Sequence, residues 1–563
     1  MRHRIPPQSR TGGRILVDQL LIHGADCAFC VPGESYLEVL DALYDVQDRF
    51  TLYNARHEAG AANMAEAHGK LTGRPGICLV TRGPGACHAA IGVHIARQDS
   101  TPMILLVGQA PRGTADREAF QEVDYRAVFG TLAKWVAQID DTARIPEYLS
   151  RAFRVATSGR PGPVVLALPE DMLAERAAVA DAPMYRPTCP AITPADIAAI
   201  RHALETAERP LLVVGGPDWD DTACAAITRF AEANGIPAVC SFRRQDIINN
   251  RSRVYAGDLG TSTAPSLFGH FSQADLLLVV GARLGEMTTR GYATMASPAV
   301  RQRLIHLYPD ADEIGRVFAP DLGFACGSRL AAGALSETDL GRQDTWSGWC
   351  SKLRDSYLAD IAPPETGNGP LDMGIALASV RDGLPADTIV TLDAGNHTGW
   401  AQRYLGFGRP GREVGSTCGA MGYSVPAAVA ASIRFPDRLV LSFVGDGGFM
   451  MSGNELATAA QYGATPIVIL FNNSTYGTIR MHQERRHPGR VSGTTLTNQS
   501  FCRMAEGLGA HAERVTETAQ FGLALERARA SGKPAVIECV TDAEQISTRT
   551  TITALRTAAA PRP

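Results

Sequence analysis

The sequence has no long apolar run. A membrane helix needs about 18 consecutive apolar residues, and the longest runs here, such as Leu276 to Val280 and Ile467 to Phe471, are strand-sized. It has no excess of one charge either. Against 54 Lys and Arg stand 58 Asp and Glu, a net charge of −4, so nucleic acid or a membrane surface finds no electrostatic footprint. Cysteine is too sparse for a disulfide framework, with 12 in 563 residues. Met1 to Arg14 holds arginine without an apolar stretch behind it and does not read as a secretory signal. A soluble cytoplasmic protein, with no nucleic-acid or membrane partner, is expected. Disorder, collagen and coiled coil are excluded as the main architecture, because 45% hydrophobic and 20% charged residues are ordinary globular values. The length suggests about three domains.

Cys27 and Cys30 have C-x-x-C spacing, but Cys27-Ala-Phe-Cys-Val31 reads as a strand running into Pro32-Gly33. Positions three apart on a strand point to opposite faces, and no second ligand pair or following helix start supports a metal or redox role. Buried strand cysteines are expected.

What is present is alternation. Clustered Pro and Gly at Ala180 to Ile192 and Ile361 to Leu371 mark linkers. They separate segments 10–178, 192–340 and 370–545. Gly76 to Thr81 and Met103 to Gly108 read as buried strands, and Ala59 to Thr72 as a helix. Leu211 to Gly215 and Leu276 to Gly281 are strands of the second segment; Thr388 to Leu392, Leu439 to Val444 and Pro466 to Phe471 are strands of the third. Continuous apolar strands between helices predict an α/β fold of three consecutive doubly wound parallel-sheet domains. In such sheets ligands sit beyond the carboxyl ends of strands.

In the third segment, the strand Leu439 to Val444 ends in Gly445-Asp446-Gly447-Gly448-Phe449, followed by a helix carrying Asn454, Glu455, Leu456, Ala459 and Ala460. The next strand ends in Asn472-Asn473-Ser474-Thr475-Tyr476-Gly477. One βαβ crossover brings both ends to the same sheet edge. A carboxylate and an amide oxygen there suit a hard cation such as Mg²⁺, and the glycines and helix start suit a phosphate. Gly-Asp-Gly alone reads as an ordinary tight turn; the Asn pair, separated from Gly447 by 24 residues, reverses that reading.

These residues resemble the thiamine diphosphate enzymes, and the resemblance extends over all three segments, nearest to the acetohydroxyacid synthase and 2-oxo acid decarboxylase branch. It implies a pyrimidine-binding, a central and a diphosphate-binding domain in that order. It implies Mg²⁺ on Asp446, Asn473 and the Thr475 carbonyl, with Gly395, Asn396, His397, Gly447, Gly448, Tyr476 and Gly477 around the diphosphate. Met421, in Cys418-Gly-Ala-Met421-Gly-Tyr-Ser-Val-Pro426, would sit beneath the cofactor; taken alone it reads as a core methionine.

In the first segment, Glu58 opens a helix and alone would read as a dipole partner. The resemblance makes it the acid that hydrogen-bonds a pyrimidine nitrogen and promotes the tautomer that deprotonates the thiazolium C2. Gly33 of Val31-Pro-Gly-Glu-Ser35 and Gly83 of Thr81-Arg-Gly-Pro-Gly85-Ala-Cys-His88 fit the cofactor loops. Gln121, in Phe120-Gln121-Glu122, and Lys134 correspond to substrate-side residues, with plain surface positions as the alternative. Homodimers or homotetramers with active sites at the subunit interface are implied.

Some positions depart from that branch. Acetohydroxyacid synthases bind FAD in the central domain, where their Phe-Asp-Asp-Arg is replaced by Leu284-Gly-Glu-Met287 and their acidic segment by His306-Leu-Tyr-Pro-Asp310. Leu211-Leu-Val-Val-Gly-Gly-Pro217 also lacks the G-x-G-x-x-G fingerprint. A central domain without FAD is expected. His482 stands where branched-chain synthases carry a tryptophan, in a loop continuing through Glu484, Arg485, Arg486, His487 and Arg490. That basic cluster reads either as a clamp for an acidic substrate or as a solvated loop. Glu34 replaces a glycine and narrows the cofactor space. The function implied is decarboxylation of a 2-oxo acid with ligation to a second carbonyl. The alternatives are simple decarboxylation releasing an aldehyde, and a non-catalytic cofactor-binding relative. Glu58, Gln121, Met421 and His482 are the candidate catalytic residues.

Overall fold

The computed structural model describes residues 8–341 and 343–559. Its apolar runs form three six-stranded sheets in which all neighbouring strands are parallel. Every residue of Met103–Gln109, Pro163–Pro169 and Ile467–Asn472 is buried. Strands buried on both faces need apolar side chains at successive positions, each contributing about 1.5–3 kcal/mol when fully buried.

The first sheet runs Thr51–Asn54, Cys27–Cys30, Gly76–Val80, Met103–Gln109, Pro163–Pro169, Trp135–Gln138. The third runs Arg412–Gly415, Ile389–Leu392, Val440–Gly445, Ile467–Asn472, Ala535–Val540, His511–Val515. Numbered along the chain, both have the order 2-1-3-4-6-5. The middle sheet, Tyr255–Leu259, Ala238–Ser241, Pro210–Val214, Leu276–Val280, Arg303–Tyr308, Leu322–Ala325, has the order 3-2-1-4-5-6. A short antiparallel pair, Arg10–Thr11 with Arg176–Ala177, is separate. The chain divides into two compact units. One spans residues up to 188 with 429–434 and holds the first sheet; the other spans 189–428 with 435 onward and holds the other two.

The order of a sheet fixes where its crevice opens. In the first sheet the chain reverses direction between Cys27–Cys30 and Gly76–Val80, which are neighbours. In the third it reverses between Ile389–Leu392 and Val440–Gly445. Loops leaving those strands splay apart, and ligands bind there. The segments there are Val31–Gly33 with Thr81–Gly83 and the helix start at Pro84, and Asp393–His397 with the helix start at Asp446.

Three expectations need revision. The helix after Val440–Gly445 begins at Asp446 itself and ends at Ser452; Asn454 and Glu455 lie on a 3-10 turn before a second helix, Leu456–Gln461. Glu455 accepts from the Thr458 hydroxyl at 2.6 Å. The segment after Tyr476 is the helix Gly477–Arg486, not a loop. Lys134 directs its ammonium to the carbonyls of Val155 and Ser158, at 2.6 and 2.8 Å, where the helix Ile145–Thr157 ends. A cation there complements the exposed carbonyls of a helix C-terminus, so Lys134 carries a structural duty. Among the described residues no helix is long and apolar enough to cross a membrane.

Candidate functional site

At the third sheet's crevice, Asp446 is the first helical residue after its strand and is 3% exposed. Its Oδ1 accepts from the Gly447 amide at 2.9 Å, and its Oδ2 from Asn498 Nδ2 at 2.8 Å. The Ser474 and Thr475 amides add to this shell. Burial raises the carboxyl's pKa, and these four donors only partly offset the desolvation. All four are neutral. A buried carboxylate supported by neutral donors is suited to a cation from outside the chain.

Asn472 and Asn473 divide their work. Asn472 Nδ2 donates to buried Glu538 at 2.7 Å and its Oδ1 accepts from Asn498 at 2.9 Å, which anchors the strand end. Asn473 Oδ1 accepts from the Thr475 amide at 3.2 Å and closes the turn. Ser474 takes a left-handed φ of 53° at its apex. A ladder stitches the turn down: Tyr476 donates to the Thr494 carbonyl, and Leu496 donates to the Ser474 carbonyl, each at 2.9 Å. Asp446, Asn473 and Thr475 are thus brought together, and all offer oxygen, the donor set Mg²⁺ prefers.

The surrounding loops explain the glycines. A Cβ on Gly447 would lie 2.3 Å from the Tyr476 ring, and one on Gly448 would lie 2.7 Å from Asp393 Oδ1. Only a bare backbone permits either approach. Gly477 follows Tyr476 as the first residue of its helix, beside Asn473. Gly395, at φ 152°, lies against the His397 ring. Burial first, then the Arg243 charge, pushes His397 down to about 3 and holds its ring neutral. Its Nε2 is buried with no protein partner. Asn396 is occupied differently: its Nδ2 donates to the Ile546 carbonyl at 2.9 Å, and its Oδ1 accepts from Thr478 at 3.1 Å.

Asp393 was not singled out by sequence, yet it holds this crevice together. It is 1% exposed. Its carboxylate accepts from the amides of Ala394 (2.9 Å), Gly422 (3.0 Å) and Ser424 (3.0 Å). The last two closely follow half-buried Met421. Arg243, from the middle sheet, donates to the Asp393 carbonyl at 2.8 Å.

His482 is exposed on the helix Gly477–Arg486. The basic run around it is not uniform. Glu484 is buried and accepts from Arg480 (2.8 Å), Arg556 (2.8 and 2.9 Å) and the Gly489 amide (2.8 Å). Its Arg556 bond above all, then Gly489 and Arg480, draw its carboxyl down to about 2. Arg485, Arg486, His487 and Arg490 are exposed.

At the first sheet's crevice, Gly33 abuts Thr81 across the two splayed loops. Glu58 is the first residue of the helix Glu58–Thr72, with its side chain 14% exposed. Its Oε2 pairs with His88 Nδ1 at 2.9 Å. Gly83 donates to the Tyr125 hydroxyl at 2.9 Å and packs against Gln121. Gln121 holds a left-handed φ of 61°, and its Oε1 is buried without a protein donor. Glu34 lies 3.6 Å from Arg82, which donates to Glu170 at 2.8 Å. Burial pushes the Cys27 and Cys30 thiols each up to about 12, which keeps them protonated.

The middle sheet has the strand order of a dinucleotide-binding sheet. A Cβ on Gly216 would lie 1.8 Å from the Gly281 carbonyl oxygen. The two glycines thus continue, past the paired Val214 and Val280, the contact of two neighbouring strands.

Comparison with known proteins gives three matches in series. The thiamine pyrophosphate enzyme N-terminal TPP binding domain matches residues 10–128, the central domain 197–335, and the C-terminal TPP binding domain 393–539. The chain is 31% identical to an acetolactate synthase large subunit of Parasynechococcus marenigrum over 94% of its own length and 88% of the relative's. It is 30% identical to the acetolactate synthase isozyme 2 large subunit of Escherichia coli, over 94% and 95%. It is 31% identical to an acetolactate synthase large subunit of Corynebacterium glutamicum, over 95% and 87%.

Proposed function

The chain belongs to the thiamine pyrophosphate enzymes, and from that membership we propose that it is a Mg²⁺-dependent, acetolactate synthase-like enzyme that decarboxylates a 2-oxo acid and joins the remainder to a second carbonyl compound. The carrying observation is the Asp446 carboxylate, buried among neutral donors beside the Asn473–Thr475 turn. Asp446, Asn473 and the Thr475 carbonyl would hold Mg²⁺. The His397 Nε2, without a protein partner, and the backbone at Gly447 and Gly448 would face the diphosphate. When bound, thiamine diphosphate supplies the electron sink that lets a 2-oxo acid lose CO₂.

The chain's own residues do the rest. Asp393 fixes the Met421 loop, so that side chain is presented in one place. Glu58, mostly withdrawn from water, holds or releases a proton at Oε1 or Oε2. Gln121 offers a buried acceptor, its Oε1, that favours a donor on the ligand. His482 stands at the helix surface, available to an acceptor substrate. The middle domain is read as structural and free of flavin, supported by the departures at Leu284 to Met287 and His306 to Asp310. The homodimer or homotetramer implied by the resemblance belongs to the same proposal, and light scattering tests it.

The test is incubation of the purified protein, with cofactor and Mg²⁺, with a panel of 2-oxo acids with and without aldehyde acceptors. Ligated hydroxy-oxo acids, acetolactate from pyruvate, are expected. Aldehydes alone would assign a decarboxylase, and no consumption of any 2-oxo acid would contradict the proposal.

A further inference from the structure

We propose that His88 is the proton relay between Glu58 and water. The inference rests on the role given to Glu58 above. The reaction itself requires a proton from solvent. Joining two 2-oxo acid anions with loss of one CO₂ takes up one proton, as does decarboxylation to the aldehyde, and neither changes the electron count. An acid that exchanges its proton with a bound ring needs a way to recover or discharge it. Glu58 is poorly placed to do so alone, because its side chain is only 14% exposed.

His88 supplies the connection. Its Nδ1 lies 2.9 Å from Glu58 Oε2, and the side chain is 50% exposed. An ionised carboxylate only accepts, so Nδ1 carries the hydrogen in that state. Oε1 faces elsewhere, toward Gly85 in the first turn of the helix Pro84–Asp99, where a Cβ would be 3.5 Å away. One oxygen thus meets the histidine while the other is left for a ligand.

The other groups around Glu58 are less suited to pass a proton than this exposed imidazole. The Tyr36 phenol donates to the Val31 carbonyl at 2.7 Å, and burial raises its pKa further. Burial likewise raises the Cys78 thiol well above its ordinary value. His57 stacks on His88 with ring centres 4.6 Å apart and planes at 30°. Its Nδ1 accepts from the Ala59 amide at 3.1 Å. That bond fixes His57 as a platform beside the His88 ring.

The test uses the full chain. His88→Gln keeps a hydrogen-bond donor but cannot pass a proton; His88→Ala opens space for free imidazole. Calorimetry of thiamine diphosphate binding with Mg²⁺ is expected to find His88→Gln within about twofold of wild type. Exchange of the cofactor's C2 proton for deuterium, followed by quenching and NMR, is expected to slow about 10- to 100-fold in both variants. Added imidazole is expected to restore the rate of His88→Ala and to leave Glu58→Gln slow. Wild-type exchange in His88→Gln would overturn the relay. So would a failure of imidazole to accelerate His88→Ala, which would leave His88 a structural role, or loss of cofactor affinity in His88→Gln, which would make it a binding residue. Wild-type exchange in Glu58→Gln would instead refute the role of Glu58, and the relay with it.

Discussion

Asn498 spans the gap between two strand ends: one amide nitrogen donates both to Asp446 Oδ2, at 2.8 Å, and to Asn472 Oδ1, at 2.9 Å. It comes from a loop 52 positions after Asp446. It fixes the carboxylate without neutralising it, which is what a positioned ligand for a cation requires.

Asn498→Ala removes that support and leaves the Asp446 carboxylate free to turn. Loss of a group that orients a metal ligand typically costs 10- to 100-fold in metal affinity. We expect a Mg²⁺-dependence of cofactor binding shifted about tenfold or more to higher Mg²⁺, with the fold retained by circular dichroism. An unshifted titration would remove Asn498 from the site.

Asp393→Ala leaves the amides of Ala394, Gly422 and Ser424 without their acceptor. A buried unpaired donor costs about 1–3 kcal/mol, so a loss of at least about 2 kcal/mol is expected in denaturant unfolding. Asp393→Asn, which keeps an acceptor oxygen, is expected to lose less. Equal stability for wild type and Asp393→Ala would show that the loop is held by other contacts.

Between the second and third sheets, burial pushes Asp258 and Glu413 each up to about 7, from 3.8 and 4.5. The folded protein then retains protons that the unfolded chain releases. Their contribution to stability is full below about pH 4 and is lost as pH rises through 7. Thermal unfolding from about pH 5 to 8 is expected to lose less stability in Glu413→Gln than in wild type, by about 1–3 kcal/mol. Parallel pH profiles would contradict the shift.

With a middle domain free of flavin, as proposed, the purified protein is expected to be colourless. A stoichiometric yellow chromophore would contradict that expectation.

Legibility in the sequence followed the range of the contacts. Ile467–Asn472 and Met103–Gln109 were readable because a strand buried on both faces is apolar at nearly every position. The Asp446–Asn473 juxtaposition was readable because one crossover fixes it. The helix Gly477–Arg486 was not, since Arg-Met-His-Gln-Glu-Arg-Arg has no apolar stripe; its buried face is Met481 and Glu484, the latter neutralised by Arg480 and by Arg556 from 72 residues away. Asn498, Asp393 and the His88–Glu58 pair depend on side chains meeting across loops, with no spacing rule to announce them. The bonds of Lys134 to the Val155 and Ser158 carbonyls were illegible for the same reason, since any residue supplies a carbonyl.

The most direct test of the central claim is calorimetry of thiamine diphosphate binding, with and without Mg²⁺, in wild type and Asp446→Ala. The expected result is saturable binding by wild type that requires Mg²⁺, and none detectable for a folded Asp446→Ala. Binding unchanged by the substitution, or indifferent to Mg²⁺, would contradict the assignment of Asp446 as the ligand that secures the cofactor.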